Sequence, residues 1–292
     1  MKYLAFFIFY CTSLFASDGF ISTLELKEKL DDPKLLLLDV TSYTTYKTSH
    51  IKNAVHVDIN SFVDAESARL KSAENIAEYL RDLGLRNDSD VVLYGRATSQ
   101  DQLSMSYLAF ILLSHGFSKV SLLDGGYMAW VFENELLVST EIFSKEQEGD
   151  FEAKRNENFF ITSDEIIENT EGLKLLDSRK SSEYFGTSLS KGVAGIGHIP
   201  SAQSSFYQDK FLSDFTLRLN EELELLFVEG HKLHKDDTIV VYGTDAREAS
   251  MNWYLLYQHL GFRDVKLYEA SMQEWGNDSE LPLRKFLWEC GK

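Results

Sequence analysis

Val91-Val92-Leu93-Tyr94-Gly95 and Ile239-Val240-Val241-Tyr242-Gly243 decide the fold, because each is a short apolar run closed by a tyrosine and a glycine. Such a run reads as a strand buried on both faces, the kind found in parallel sheets. The flanking sequences match as well. Upstream, Leu35 to Leu38 followed by Asp39 pairs with Leu173 to Leu176 followed by Asp177. Tyr46 and Tyr184 come next, then His50-Ile51 and His198-Ile199, then Ala54 and Ala202. Downstream, Gly116-Phe117 pairs with Gly261-Phe262, Val120 to Leu123 with Val265 to Tyr268, and Trp130 with Trp275. Ser22-Thr-Leu-Glu25 and Thr162-Ser-Asp-Glu165 have the form of capping boxes that open a helix, each after a Phe-Ile pair suited to a hydrophobic staple. The same landmarks in the same order, twice, are a tandem duplication.

Within each unit, leucine or β-branched runs alternate with helical patterns. That alternation predicts an α/β fold of two tandem domains, each a mainly parallel sheet flanked by helices. The expected boundaries are a signal peptide over 1–16, domain 1 over 18–145, a linker over 146–158 and domain 2 over 159–292. The linker reading rests on the polar and charged stretch from Lys145 to Asn158. In the helix after Gly243, Trp253, Leu256, Tyr257 and Leu260 fall on one face; after Gly95, Met105, Leu108, Ala109 and Leu112 do the same. Those stripes are core faces.

A chain of 292 residues suits two domains that each bury a core, and 44% hydrophobic with 26% charged residues argues against disorder. Its 29 basic residues face 46 acidic ones, for a formal net charge of −17. That field repels nucleic acid and anionic membrane surfaces and does not attract small anions. Lys2, the apolar run Tyr3 to Phe15, and the small pair Ala16-Ser17 form a leader of secretory type, too short for a transmembrane helix. The competing reading is a buried first strand or helix. A lipoprotein reading of Cys11 is opposed by the bulky Phe9-Tyr10 before it. A periplasmic or secreted protein is expected, with no membrane attachment once the leader is gone. Cys290 is then the one remaining thiol, which rules out an internal disulfide.

The order of strand-Asp, Gly-His-Ile-Pro-x-Ala, Val-Val-Tyr before a loop, Gly-Phe and a final Trp resembles the tandem rhodaneses, the thiosulfate and mercaptopyruvate sulfurtransferases. Domain 2 carries the fullest match: Leu175-Leu176-Asp177-Ser178-Arg179, Gly197-His198-Ile199-Pro200-Ser201-Ala202, Arg247-Glu-Ala-Ser250 and Trp275. The resemblance implies an active loop between a central strand and the next helix. Its backbone N–H groups and the helix N-terminus would form an anion cradle. In active members a cysteine opens that loop and carries sulfur as a persulfide.

Here the sequence departs from the pattern. The resemblance places Gly243 at the cysteine position of domain 2 and Gly95 at that of domain 1, and no cysteine exists between Cys11 and Cys290. The candidate anion-binding residues are Gly243, Thr244, Asp245, Ala246, Arg247 and Glu248 of the loop, with Arg179 as the substrate-facing arginine implied by the resemblance. Thr244 has no loop histidine to activate it, and Asp245 puts negative charge in a cradle meant for anions, a charge that Arg247 could offset. The alternatives are a helix-start or surface role for Arg247 and a surface salt bridge for Arg179. Asp39, Asp177, His50 and His198 read as structural. No metal ligand set and no cofactor are expected. A cysteine restored at 243 is expected to return part of the sulfur transfer if the loop keeps its shape.

Two functions compete at this stage. One is a rhodanese-like protein without persulfide chemistry, acting as a binding or scaffold module for a small sulfur-containing anion or a protein partner. The other is a working sulfurtransferase that uses Cys290 or a partner's thiol. A phosphatase on a related fold would need the same missing cysteine.

Overall fold

The computed structural model describes residues 19–67, 69–134, 137–145 and 147–289, so the expected leader and Cys290 lie outside the described residues. Domain 1 runs β1 (Phe20–Ile21), α1 (Thr23–Lys29), β2 (Leu35–Asp39), α2 (Tyr43–Thr48), β3 (His50–Ile51), β4 (Val55–His56), α3 (Ala73–Asp82), β5 (Asp90–Tyr94), α4 (Ser99–Ser114), β6 (Val120–Leu123), α5 (Gly126–Asn134) and β7 (Val138–Ser139). Its sheet has the order β1-β6-β5-β2-β4, with every neighbouring pair parallel. Parallel strands need crossover connections, and the helices that supply them cover both faces. Leu35, Leu36, Leu37 and Leu38 are accordingly all buried, which is why that run does not alternate.

Domain 2 repeats the plan: α6 (Ser163–Asn169), β8 (Leu173–Asp177), α7 (Ser181–Tyr184), β9 (Gln203–Ser204), α8 (Asn220–Glu224), β10 (Thr238–Tyr242), α9 (Ala246–Tyr254), β11 (Asp264–Leu267) and α10 (Ser271–Trp275). The order is β11-β10-β8-β9, again parallel throughout. Phe160 makes a parallel bridge to Leu267 where β1 pairs with β6 in domain 1. The antiparallel pair β3·β7 has its counterpart in the bridge between His198 and Arg284. Mixed α/β architecture with mainly parallel sheets is therefore what the repeat encodes.

Both capping boxes close. Glu25 N–H donates to Ser22 Oγ at 3.2 Å while Ser22 N–H donates back to Glu25 Oε2 at 2.9 Å. Thr162 and Glu165 do the same at 3.3 and 2.8 Å. The Phe20-Ile21 pair does more than staple a helix, since it forms the edge strand β1. Helix α4 departs from a one-sided stripe: almost every side chain from Gln102 to Ser114 is buried. It lies between its own sheet and α9 of the other domain, so both of its faces are covered.

The stretch expected to act as a linker is tied down. Phe151 is buried against Phe117, edge to face with ring centroids 5.7 Å apart. Gly149 N–H donates to Arg81 O at 2.8 Å and Asn87 N–H to Asp150 Oδ1 at 2.8 Å. A polar sequence with one aromatic anchor makes a strap over domain 1.

The domains clasp each other reciprocally. Leu70 N–H of domain 1 donates to Glu269 Oε1, and Leu217 N–H of domain 2 donates to Asp124 Oδ1, each at 2.8 Å. Glu269 and Asp124 are matching positions, just past β11 and β6. Ser106 and Ser250 share a buried hydrogen bond of 2.7 Å where α4 crosses α9. One apolar cluster continues through both domains, including Phe110 and Trp253 in an edge-to-face pair at 4.8 Å.

Candidate functional site

In each domain the central strand, β5 or β10, ends at a loop that leads into the helix packed on the partner domain. Such a place, outside the carboxyl end of a parallel sheet and at a helix N-terminus, is where α/β proteins bind ligands and anions. In domain 2 the loop is Gly243-Thr244-Asp245, and Asp245 caps α9 by accepting from Arg247 N–H at 3.0 Å and Glu248 N–H at 3.2 Å. Asp245 thus answers the helix's own donors. Ala246 is buried as the first residue of that helix.

The loop amides upstream of the cap are also answered from within. Thr244 N–H donates to Glu248 Oε2 at 2.8 Å, and Gly243 N–H to Ser271 Oγ at 3.2 Å. Burial pushes the Glu248 carboxyl up to about 7; the bonds to Thr244 work the other way, and nearby Glu183 and Asp177 add to the rise. Domain 1 repeats the device one residue wider. Asp101 is the third helical residue of α4, as Glu248 is of α9, and its Oδ2 accepts from Arg96 N–H at 2.9 Å.

The two glycines are not vacant seats. A Cβ at residue 243 would stand 2.7 Å from Glu248 Cβ and 3.0 Å from Ala249 N; one at residue 95 would stand 2.4 Å from Asp101 Cβ. Contacts that short force the backbone to move. The condition set for a cysteine at 243, that the loop keep its shape, therefore meets a crowded site, because the helix's first turn already occupies that space.

Arg179 points inward. Its guanidinium pairs side-on with Asp177, Nε to Oδ1 at 2.9 Å and Nη2 to Oδ2 at 2.5 Å, and Nη2 also donates to Gly197 O at 2.8 Å. Both residues are fully buried. Nη1 donates to Ser190 Oγ at 3.3 Å, so Nε, Nη1 and Nη2 all serve buried groups of domain 2 rather than the substrate-facing role implied for Arg179. Arg247 instead reaches the other domain, donating from Nη2 to Asn60 Oδ1 at 2.8 Å.

His198 stacks on Tyr184 at 3.8 Å and its Nδ1 meets Tyr184 O at 2.8 Å; His50 and Tyr46 repeat this at 3.9 and 2.8 Å. Tyr46 OH donates to Ala54 O and Tyr184 OH to Ala202 O, both at 2.8 Å. Asp39 accepts from Thr41 N–H at 2.8 Å. These groups brace the ends of the sheets. Among the described residues no cluster of His, Cys, Asp and Glu is placed to hold a metal.

Sequence reasoning missed Ser271 and, in domain 1, the role of Arg96. Ser271 takes φ of +50° at the position where domain 1 has Gly126 at +57°. There its hydroxyl accepts from the loop while donating to Tyr268 O at 2.8 Å. The guanidinium of Arg96 lies 3.6 Å over the Tyr127 ring and donates to Ser49 O, closing the domain 1 loop from within. Beside the domain 2 loop a cleft of about 180 Å³ opens between Arg69, Asp245, Glu269, Gln273 and Glu274. Its acids outnumber its bases, and Arg69 is already within 3.5 Å of Glu274.

A parallel α/β sheet whose central strand ends in a loop at a helix N-terminus, built twice in one chain, defines a tandem α/β protein with a ligand-loop position in each half. The chain belongs to the rhodanese family: the rhodanese-like domain matches residues 22–133 and again 162–278. It is 32% identical over 279 residues to the sulfur carrier protein TtuD of Thermus thermophilus, covering 91% of this chain and 96% of that protein. It is 27% identical to a thiosulfate sulfurtransferase of Corynebacterium glutamicum, covering 90% and 89%. Among solved structures, the anaerobic ergothioneine biosynthesis enzyme of Chlorobium limicola superposes with a TM-score of 0.79 at 20% identity, over 92% of this chain and 71% of that one. At that identity the likeness speaks for the fold.

Proposed function

We propose that this chain is an exported tandem rhodanese-like protein without persulfide chemistry of its own, acting as a binding or scaffold module. One observation carries the reading: the loop that would seat a sulfur-bearing thiolate holds a glycine whose Cβ space is filled by Glu248. Persulfide relay needs a thiolate at that point, and glycine cannot supply one. The sequence offers no replacement between Cys11 and Cys290. Of the two partner classes, a protein suits the site better than a small sulfur-containing anion, because the cleft beside the loop is acidic. Export rests on the leader formed by Lys2, Tyr3 to Phe15 and Ala16. Among the described residues no helix is long and apolar enough to cross a membrane.

The competing reading, sulfur transfer through Cys290 or a partner's thiol, draws on the names of the relatives. Both readings meet in one experiment. Purified protein is incubated with thiosulfate and cyanide, thiocyanate is followed, and Cys290 is then examined by mass spectrometry. We expect no thiocyanate above background and no added sulfur. Turnover comparable to an active rhodanese would sink the proposal, and a persulfide on Cys290 would transfer the function to that residue.

A further inference from the structure

An anion cradle works by aiming several N–H groups at one unfilled point. In domain 2 that point has a tenant. Thr244 N–H is taken by Glu248 Oε2 at 2.8 Å, Gly243 N–H by Ser271 Oγ at 3.2 Å, and the N–H groups of Arg247 and Glu248 by Asp245 Oδ1. The third residue of a helix often returns its carboxylate to the cap residue's N–H in a capping box. Glu248 reaches one residue further back, past its cap Asp245, into the loop proper. Asp101 does the equivalent in domain 1, so the arrangement survives a loop one residue longer and a side chain one carbon shorter.

We propose that Glu248 is the residue that determines specificity at the domain 2 loop: its carboxylate serves as the built-in anion of the cradle and excludes external oxyanions such as thiosulfate while it is seated. The inference rests on the same assignment of residues 243–248 as the ligand loop, and it deepens that assignment. An incoming dianion must displace Glu248 from Thr244, and it then shares the site with the displaced charge. Burial already disfavours the ionised Glu248, with Glu183 and Asp177 nearby, so the seated charge is held by Thr244, through its backbone N–H and its side chain. Among the described residues Glu248 forms no salt bridge: Arg179 is committed to Asp177 and Arg247 to Asn60.

The test is a calorimetric titration of the purified full chain with sodium thiosulfate at pH 8, where Glu248 is mainly ionised. Glu248→Ala removes the tenant, and Glu248→Gln keeps an oxygen for Thr244 N–H while removing the charge. We expect Glu248→Ala to bind thiosulfate at least about tenfold more tightly than the parent chain, equivalent to ~1.4 kcal/mol, with Glu248→Gln between the two. The Thr244 amide resonance provides the local reading and confirms that the loop is folded. It should move on thiosulfate addition in Glu248→Ala and stay still in the parent. Equal affinity in the parent and Glu248→Ala overturns the inference, as does a folded Glu248→Ala that binds nothing. Failure here leaves the proposed loss of sulfur transfer standing, because that is read by thiocyanate.

Discussion

The two domains agree in hydrogen bonds and differ in what they bury. Tyr46 and Tyr184, His50 and His198, and the loop carboxylates Asp101 and Glu248 do the same work in both halves, at distances that match within a few tenths of an ångström. Beneath that shared skeleton, domain 2 holds charges where domain 1 does not. Asp39 takes only neutral donors, the N–H and hydroxyl of Thr41 at Oδ1, whereas Asp177 is paired with the fully buried Arg179. Phe62 is a core residue of domain 1, and the corresponding position past β9 in domain 2 is Lys210, equally buried. Duplication preserves the bonds that define strand ends. It leaves the core beneath them free to diverge in polarity.

The largest expected effect breaks the first contrast. Arg179→Ala leaves Asp177 as an uncompensated carboxylate in the core, and removing one member of a buried pair typically costs about 3–5 kcal/mol. Thr41→Ala in domain 1 removes hydrogen bonds to an otherwise similar aspartate, and should cost about 1–3 kcal/mol. Denaturant unfolding of the two variants measures both. If Thr41→Ala proves as damaging as Arg179→Ala, the charge in domain 2 carries no special burden.

Lys210 offers a finer separation of the two cores. Its Nζ donates to Ser205 Oγ at 2.9 Å and Phe206 O at 2.7 Å and lies 5.4 Å over the Phe227 ring. Burial lowers its ammonium to about 7, partly offset by the charge of Asp209, while burial and then the Lys210 charge depress the nearby His231 to about 4. The unfolded chain holds the lysine proton up to its ordinary value, so between pH 7 and about 10 the unfolded state binds more protons than the folded one. Stability contributed here therefore rises as pH rises through that window. Lys210→Met should stabilise the protein by a few kcal/mol (about 2–4) near pH 6 and by about 1 kcal/mol near pH 10. Thermal unfolding at the two pH values reads the difference. A gain independent of pH would mean that packing, not charge, separates Lys210 from Phe62.

How much of this was legible in the sequence follows from the same contrast. The strands, both capping boxes and the bracing tyrosines and histidines are local or repeated signals, and the repeat exposes them because each appears twice. The glycines of the loops were visible, but what fills the space beside them was not. Glu248 and Asp101 lie on helices whose first turn is set by the cap, and only the fold shows a carboxylate returning past that cap. Arg179 misled for a related reason: its place after the strand fits the family pattern, yet the side chain turns toward Asp177, two residues back and on the same strand end. Lys210 gave no signal, since a lysine after a short strand reads as surface until the helix carrying Phe227 covers it. The strap over 147–158 looked like a tether because one phenylalanine among charges is easily discounted.

The smallest expected effect concerns the pseudo-symmetry of the clasp. Arg247 Nη2 donates to Asn60 Oδ1 across the interface, and Gln208, the counterpart of Asn60, donates from Nε2 to Oγ of Ser99, the first helical residue of α4 where Arg247 is the second of α9. Each contact thus joins a loop-side helix start of one domain to the turn after the other's edge strand, and domain 2 supplies both donors. The roles are exchanged: the helix start supplies the donor in one contact and the acceptor in the other. The Arg247 contact is exposed, so solvent competes for it and its net contribution is small. Arg247→Ala should cost about 0.5 kcal/mol, and Gln208→Ala, at a half-buried contact, about 1 kcal/mol. Because the two contacts share no partner, the double variant should lose the sum of the two. A loss well beyond that sum, measured by chemical unfolding of the three variants, would show that the two halves of the clasp act as one cooperative device.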